Sequence, residues 1–238
     1  MSGSLDIATS LLERTERVKS DRVRGFRGDH EIEVRFVDRG AGSTRDPYTE
    51  VLVLDRTRDD LHLSIVRQTD YDMAYVRRGL GTDLEVGDAI FDELFLVEAA
   101  PADVIPHLLD GATRALLQEW QPIGVKTLEA KDDQPGGLLV EKPTWLGTPQ
   151  AIEAMLAIAV HIVDRIPLAF AQADRARAER HGYRGTSPAE DDRRAEVASL
   201  KKKQKERHDA RVRLGCLGLL AFFVLLAIFT ALVVWATE

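Results

Sequence analysis

Two aspartates at a spacing that could support catalysis, Asp88 and Asp92, lie four residues apart in the segment GDAIFDELF. Carboxylates at this spacing share one face of a helical turn, where they could hold a cation or exchange a proton. A structural role also fits, because an aspartate that precedes an apolar run commonly accepts hydrogen bonds from backbone N–H groups. We favour this second role, in which Asp88 caps a turn while Phe91 and Phe95 fill the core.

The other residue types that support chemistry show no catalytic spacing. The histidines, at positions 30, 62, 107, 161, 181 and 208, form no HExxH pattern of the kind that binds zinc. No serine lies in a G-x-S-x-G context, and the single cysteine, Cys216, lies in an apolar run. The sequence therefore predicts no cofactor, no metal site and no catalytic residues, with Asp88 and Asp92 as the only candidates.

A long apolar run occupies residues 214–235, LGCLGLLAFFVLLAIFTALVVW. These 22 residues include no charged residue and no proline. A helix of this length spans about 33 Å, enough to cross a hydrocarbon core about 30 Å thick. We predict a transmembrane helix at residues 214–236, and with it a tail-anchored, single-pass protein of the cytoplasmic membrane.

A basic segment directly precedes this apolar run. Residues 201–213 carry seven lysines and arginines against two acidic residues. Positive charge beside a membrane span stays on the cytoplasmic side, so the N-terminal domain is predicted to lie in the cytoplasm. The same charges attract anionic lipid headgroups, each contributing about 1 kcal/mol. The residues predicted to contact the headgroups of the lipid bilayer are Lys201, Lys202, Lys203, Lys205, Arg211 and Arg213.

The rest of the chain is acidic, which restricts its partners. Residues 1–200 contain 25 basic and 36 acidic side chains. A body with this balance does not attract nucleic acid, so we expect a protein partner or self-association instead. Two features of the apolar run stay open. Cys216 could carry a lipid, and Ala227 with Ala231 has the small-residue spacing that pairs transmembrane helices.

The pattern of apolar residues predicts an α+β fold. Alternation indicates seven strands, at residues 23–27, 31–38, 48–55, 61–67, 94–98, 123–130 and 138–141. Short connections favour antiparallel pairing in chain order among the first four of these strands. Short helices are predicted at 101–109 and 111–120. Seven strands and a final helix also suit a pleckstrin-homology-like fold, although the helical insert at 101–120 does not fit one.

A long helix is predicted to close the domain. Thr148 is a suitable N-cap and Pro149 a suitable first residue. Apolar residues then recur every three or four positions, which is typical of a helix that packs on a core. His161 lies within this pattern and is expected to be a packed or edge residue. Pro167 is predicted to kink or end the helix.

These patterns divide the chain into four segments. Residues 1–20 are predicted to form an amphipathic helix. Residues 21–170 are predicted to form the cytoplasmic α+β domain, a mostly antiparallel sheet packed by the long helix. Residues 171–213 are predicted to be a charged helical stalk, restarted by a sequence at 187–190 that resembles a capping box. Residues 214–236 form the predicted transmembrane helix.

The segment GDAIFDELFLVEAAPADVIPHLLDGATRALLQEW, followed by two strands and an apolar-striped helix, resembles a family of bacterial membrane-anchored domains of unknown function. The pattern consists of Gly-Asp, Phe-Asp and Phe before an apolar strand, then a leucine-rich helix with an arginine. Its residues in this sequence are Gly87, Asp88, Phe91, Asp92, Phe95, Val97, Leu108, Leu109, Arg114 and Leu117. The resemblance covers residues 22–166 and implies a bacterial source and a membrane attachment, without implying an activity.

Two functions are consistent with these patterns. The first is a non-enzymatic interaction, scaffold or sensor module at the inner face of the membrane, and it is favoured because no catalytic set of residues is evident. The alternative is a metal- or ligand-dependent enzyme whose site surrounds Asp88 and Asp92, beside Phe91 and Phe95.

Overall fold

The computed structural model describes residues 2–40, 45–54, 58, 60–69, 83–129, 136–181, 192–203 and 205–206. The chain divides into two compact units, Met1–Val197 and Ala198–Glu238. In the second unit, residues 198–203 and 205–206 are helical. The predicted transmembrane helix at 214–236 and the predicted capping sequence at 187–190 lie outside the described residues.

The first unit has an α+β architecture. Its strands are β1 (Glu13–Lys19), β2 (Arg22–Arg27), β3 (His30–Arg39), β4 (Asp46–Val53), β5 (His62–Arg67), β6 (Phe95–Ala100), β7 (Gly124–Leu128) and β8 (Gly137–Lys142). Its helices are α1 (Ser2–Leu11), α2 (Ala89–Leu94), α3 (Ile105–Leu108), α4 (Gly111–Trp120) and α5 (Pro149–His181), with a 3₁₀ turn at Ala102–Val104. Residues 192–197 are helical as well.

The eight strands form one antiparallel sheet in the order β1-β2-β3-β4-β8-β7-β5-β6. The strands β1 to β4 pair in chain order, as short connections favour. The predicted pairing of the 48–55 strand with the 61–67 strand is wrong, because β8 pairs with β4 and β7 lies between β8 and β5. Connection length alone could not indicate the pairing of β4 with β8, since more than 80 residues separate these two strands in the chain.

Side-chain alternation gives this sheet two different faces. On β3, Ile32, Val34 and Phe36 are buried in the same hydrophobic cluster as the apolar residues of α5. The residues between them, Glu33 and Arg35, lie on the opposite face and pair with each other. The alternation predicted for this strand is therefore confirmed.

Helix α5 packs its apolar stripe into the core. The hydroxyl oxygen of Thr148 accepts a hydrogen bond from the N–H of Ala151 at 3.3 Å, and the helix begins at Pro149. Both features were predicted from the sequence. The buried residues of the stripe are Ile152, Met155, Leu156, Ile158, Ala159, Ile162, Ile166, Ala169, Phe170 and Ala173.

Within the described part of the chain, one helical stretch, Pro149–Glu179, is long and apolar enough to cross a membrane. Over its most apolar 18 residues the mean hydropathy is 1.7, and half of these residues are buried inside the folded unit. Length and composition are weak evidence for a membrane helix, because the core helix of a soluble protein has the same properties. The packing of α5 against the sheet accounts for its apolar composition.

The N-terminal helix is shorter than the predicted 1–20. It ends at Leu11, and residues 13–19 form β1, an eighth strand that the sequence did not indicate. The stripe of Leu5, Ala8 and Leu12 is buried, but the following ERTERVK has no apolar periodicity to hold a helix on the core. Its backbone groups pair with β2 instead, and the irregular, charged strand forms an edge that resists further pairing.

The predicted domain boundary at residue 170 is also corrected. Pro167 does not end α5, which continues to His181, and the first unit extends to Val197. Helix α5 continues because Ala169, Phe170 and Ala173, beyond the proline, are buried in the core. The first part of the predicted charged stalk therefore belongs to the folded unit.

One glycine tests the register of the central strands. Gly137 has φ +152°, and a Cβ there would overlap the carbonyl oxygen of its neighbour Val53. We expect Gly137→Ala to destabilise the fold by about 3 kcal/mol, because β8 must move away from β4. Urea unfolding followed by circular dichroism measures this loss.

Gly111→Ala is the matched control, because a Cβ at Gly111 meets nothing within 4 Å. This change should leave stability the same or raise it by up to about 1 kcal/mol. Equal effects of the two substitutions would contradict the β4–β8 register.

Candidate functional site

Asp88 caps the short helix α2 and ties it to α4. One of its carboxylate oxygens accepts a hydrogen bond from the Phe91 N–H at 3.2 Å. The other accepts from Arg114 Nε at 3.0 Å, and Gln118 Nε2 lies 3.4 Å from the first. The Phe91 N–H and the Arg114 guanidinium hold the pKa of Asp88 below its usual value. The ionised carboxylate is thus the form that these contacts stabilise.

Asp92 binds the backbone that leads into the same helix. Its two oxygens accept hydrogen bonds from the N–H groups of Val86 at 2.9 Å and Gly87 at 3.1 Å. Gly87 has φ +78°, a conformation that favours glycine, so the chain can turn back towards the carboxylate. Both Asp92 oxygens are therefore engaged in fixing this turn.

The two aromatic residues of the motif belong to the hydrophobic core. Phe91 and Phe95 are fully buried, and their ring centroids lie 4.9 Å apart. Arg114 also donates to the carbonyl oxygen of Leu109 at 2.6 Å. Through Asp88, Arg114 and Leu109, the motif joins α2, α4 and the end of α3. The predicted capping role of Asp88 and the core role of the two phenylalanines are confirmed.

The geometry of the two aspartates favours a structural role over a reactive one. Each carboxylate already accepts hydrogen bonds from backbone N–H groups. In the part of the chain that the structure describes, no group of three or more His, Cys, Asp or Glu residues is placed to hold a metal ion. The arrangement holds α2, α4 and the end of α3 together.

A second cluster of charged residues lies on the sheet face opposite the core. Glu33, Glu50 and Glu141 have side chains only 2%, 8% and 5% exposed. They occupy neighbouring strands in register, with Arg35 opposite Glu50 and Glu50 opposite Glu141. Such buried carboxylates require cationic partners, because removing a charge from water is costly.

Cations on the same strand or on adjacent strands supply these partners. Arg24 reaches Glu33 at 2.8 Å and Arg35 reaches it at 2.6 Å. Arg39 bridges Glu50 and Glu141, and Lys126 lies 2.5 Å from Glu141. We call this set of residues the sheet ladder. Because each carboxylate is paired across strands, the sheet ladder fixes strand register.

The sheet ladder also controls the titration of its most buried member. Burial opposes ionisation of Glu33, but hydrogen bonds from Arg24 and Arg35 outweigh it, so the pKa of Glu33 is lowered from 4.5. A carboxylate with a depressed pKa in the folded state contributes stability above its unfolded pKa. That contribution is lost as the pH falls through the lower, folded-state pKa.

His161, predicted to be a packed or edge residue, is half-buried and joins a polar chain between α4 and α5. Its Nε2 lies 3.0 Å from the hydroxyl oxygen of Thr113, which donates to Asp110 at 2.9 Å. Asp110 caps α4 and also pairs with Arg165 at 2.8 Å. The hydroxyl lies between the carboxylate and the imidazole, unlike a catalytic triad, in which the imidazole is central. Thr113 is buried, so this chain holds α4 on α5.

The predicted headgroup-contacting lysines fall in the second unit. Four of them are helical, namely Lys201, Lys202, Lys203 and Lys205, and the last three are exposed. Arg211 and Arg213 lie outside the described residues.

Sequence reasoning missed a cluster around Arg193, in the predicted stalk. The Arg193 side chain is only 3% exposed and pairs with Asp103 and Asp174. The run of charged residues predicted a solvated helix there. A sequence feature that could have indicated a buried face is Val197, an apolar residue one helical turn after Arg193.

Comparison with family models gives no match to this chain, and comparison with curated proteins gives none either. The resemblance to bacterial membrane-anchored domains therefore stays a prediction.

We expect substitutions of the two aspartates to change stability. Asp92→Ala leaves the Val86 and Gly87 N–H groups without their acceptor, which should cost about 1–3 kcal/mol. Asp88→Asn keeps a capping oxygen and loses the ion pair with Arg114, whereas Asp88→Ala loses both and should lower the melting temperature further. Urea and thermal unfolding measure these effects.

Glu93→Ala, at an exposed position of the same helix, is the control and should have little effect. A folded protein of unchanged stability that carries Asn at both positions but fails in the cell would instead support the enzyme alternative.

The sheet ladder predicts the acid dependence of stability. The free energy of unfolding should fall as the pH drops below about 4.5, the pH at which Glu33 is half protonated in the unfolded chain. Glu33→Gln should be less stable than the parent at pH 7, by about 3 kcal/mol, and should lose less stability between pH 7 and pH 3. Urea midpoints across this range test both expectations. The exposed Glu119→Gln should follow the parent curve, and a Glu33→Gln curve parallel to the parent would contradict the assignment.

Proposed function

We propose that this protein is a non-enzymatic interaction module, a scaffold or sensor, held at the inner face of the cytoplasmic membrane. The observation that carries the proposal is the uncharged run at residues 214–235 directly after a basic segment. The contacts of Asp88 and Asp92 support the non-enzymatic part, since their oxygens serve the backbone and Arg114.

The anchor in this proposal is a single helix at residues 214–236. The run is long enough to cross the hydrocarbon core, and it has no charge that would oppose insertion. The basic residues before it keep the folded unit in the cytoplasm. Helix α5 is not the anchor, because its apolar stripe packs on the sheet.

The basic segment has a second role in the proposal. Lys202, Lys203 and Lys205 are exposed on helical residues, where their ammonium groups can approach anionic headgroups. Attraction of about 1 kcal/mol per charge adds up over the segment, and it counteracts repulsion between the acidic body and an anionic membrane.

An interaction role for the folded unit is consistent with its surface. Large apolar side chains are exposed at Ile90, on α2, and at Leu168, on α5. The partner is a protein or a second copy of this chain. The resemblance to bacterial membrane-anchored domains agrees with this role and with a bacterial source.

The test uses bacterial cells that express the full chain and, for comparison, a chain ended after Val197, which keeps the first unit. The full chain should stay with the membrane fraction under alkaline extraction, and the shortened chain should not. External protease on intact cells should leave the folded unit uncut. A full chain in the soluble fraction would contradict the anchor, and digestion from outside would contradict the orientation.

Affinity purification of both forms in mild detergent then tests the interaction role. A near-stoichiometric partner bound to both forms would place recognition on the first unit. Recovery of additional copies of this chain with the full-length form alone would indicate self-association through the anchor. If neither form retained any protein, the interaction role would be wrong.

A further inference from the structure

The helical residues 192–197 dock on the body of the first unit through Arg193. Its guanidinium pairs with Asp174 at 2.8 Å and with Asp103 at 3.4 Å. It also lies over the buried ring of Phe170, 5.1 Å from the ring centroid. A cation above an aromatic face is attracted to it, more strongly where water is excluded. The site that holds Arg193 therefore combines carboxylates with an aromatic face.

Two further contacts hold the same residues. The Glu196 carboxylate accepts a hydrogen bond from the Ala102 N–H at 3.0 Å, at the start of the 3₁₀ turn. Val197, one turn beyond Arg193, is 3% exposed. The docked state thus has a hydrogen bond and an apolar contact in addition to the ion pairs.

The docked state is incompletely satisfied. Asp103 Oδ1 and Arg193 Nε are both buried, and neither has a hydrogen-bond partner. Each buried polar atom without a partner opposes docking, because the same atom would bind water when exposed. Favourable contacts and unsatisfied atoms therefore act against each other within one small cluster.

The three residues that contact Arg193, namely Asp103, Phe170 and Asp174, would each keep another favourable interaction if Arg193 left. Asp103 pairs with Arg177 at 2.9 Å, and the guanidinium of Arg58 lies 4.1 Å from the centre of the Phe170 ring. The side chain of Asp174 is 55% exposed, so water can solvate it. Departure of Arg193 would leave no buried charge on the body unpaired, which removes the main penalty of breaking a buried ion pair.

We propose that Arg193 and its site form a releasable latch, in which residues 192–197 exchange between a docked state and a released state while the rest of the unit stays folded. In the released state Arg193 is hydrated and Asp103 is held by Arg177. This latch is a regulatory feature of the proposed membrane module, because residues 192–197 directly precede the unit that carries the basic segment. The regulatory role of the latch rests on the proposed function, but the exchange of residues 192–197 between the docked and released states does not.

Hydrogen exchange of the full chain in mild detergent, read by mass spectrometry, tests the latch. Amides of residues 192–197 should exchange through local opening, faster than the β3 and β4 amides, which open only with global unfolding. Exchange of residues 192–197 at the rate of the β3 and β4 amides would overturn the proposal. This measurement needs no variant and no membrane, so its failure is distinct from failure of the proposed function.

Two substitutions distinguish a latch from an ordinary structural contact. Arg193→Met should raise the opening constant of residues 192–197 by about tenfold or more, because it removes the ion pairs. Arg177→Met should lower that constant, because release of Arg193 would then leave Asp103 without a cation. An ordinary contact network predicts loosening in both variants, and loosening by Arg177→Met would overturn the latch.

The matched control is Arg175→Met, at an exposed position on the same helix as Arg177. It removes the same charge from α5 without touching Asp103, so the opening constant should not change. A change equal to that of Arg177→Met would show a general charge effect and would overturn the proposed role of Arg177.

Discussion

The structure of the first unit depends on the burial of the α5 stripe against one face of the sheet. A fully buried Leu, Ile or Phe side chain contributes about 1.5–3 kcal/mol, and ten apolar residues of α5, from Ile152 to Ala173, belong to the core cluster. This contact also accounts for a composition that would suit a membrane helix. The hydrophobic face of an eight-stranded sheet needs a cover, and α5 provides it together with α1, while α3 and α4 pack against α5.

The opposite face of the sheet is stabilised by charge. Glu33, Glu50 and Glu141 are nearly as buried as core residues, and Arg24, Arg39 and Lys126 pair with them across strands. A slip of one residue would move these carboxylates to the apolar face and separate them from their cations. The apolar packing of one face and the ion pairs of the other therefore specify the same register.

The charged residues of the chain act at three levels. Asp88 and Asp92 organise a turn and a short helix, so their spacing serves local structure. The sheet ladder joins strands that are distant in sequence. Arg193 joins a segment near the end of the unit to the body through partners that have alternatives of their own, Arg177 for Asp103 and Arg58 for Phe170. In this last arrangement the contact of Arg193 can break without leaving a buried charge of the body alone.

The sequence by itself determined the features that depend on local periodicity and capping. These are the strands β2 to β8, the start of α5 at Pro149 after the capping Thr148, the capping role of Asp88 and the burial of Phe91 and Phe95. Tertiary structure decided the strand order, because β8 pairs with β4 although the two strands are far apart in the sequence, and no local pattern predicts such a pairing. It likewise decided that ERTERVK forms a strand, that α5 continues past Pro167, and that Arg193 is buried. The strand ERTERVK is held by pairing with the neighbouring β2. In the other cases the free energy comes from contacts with residues distant in the chain, and those contacts outweigh the local preference.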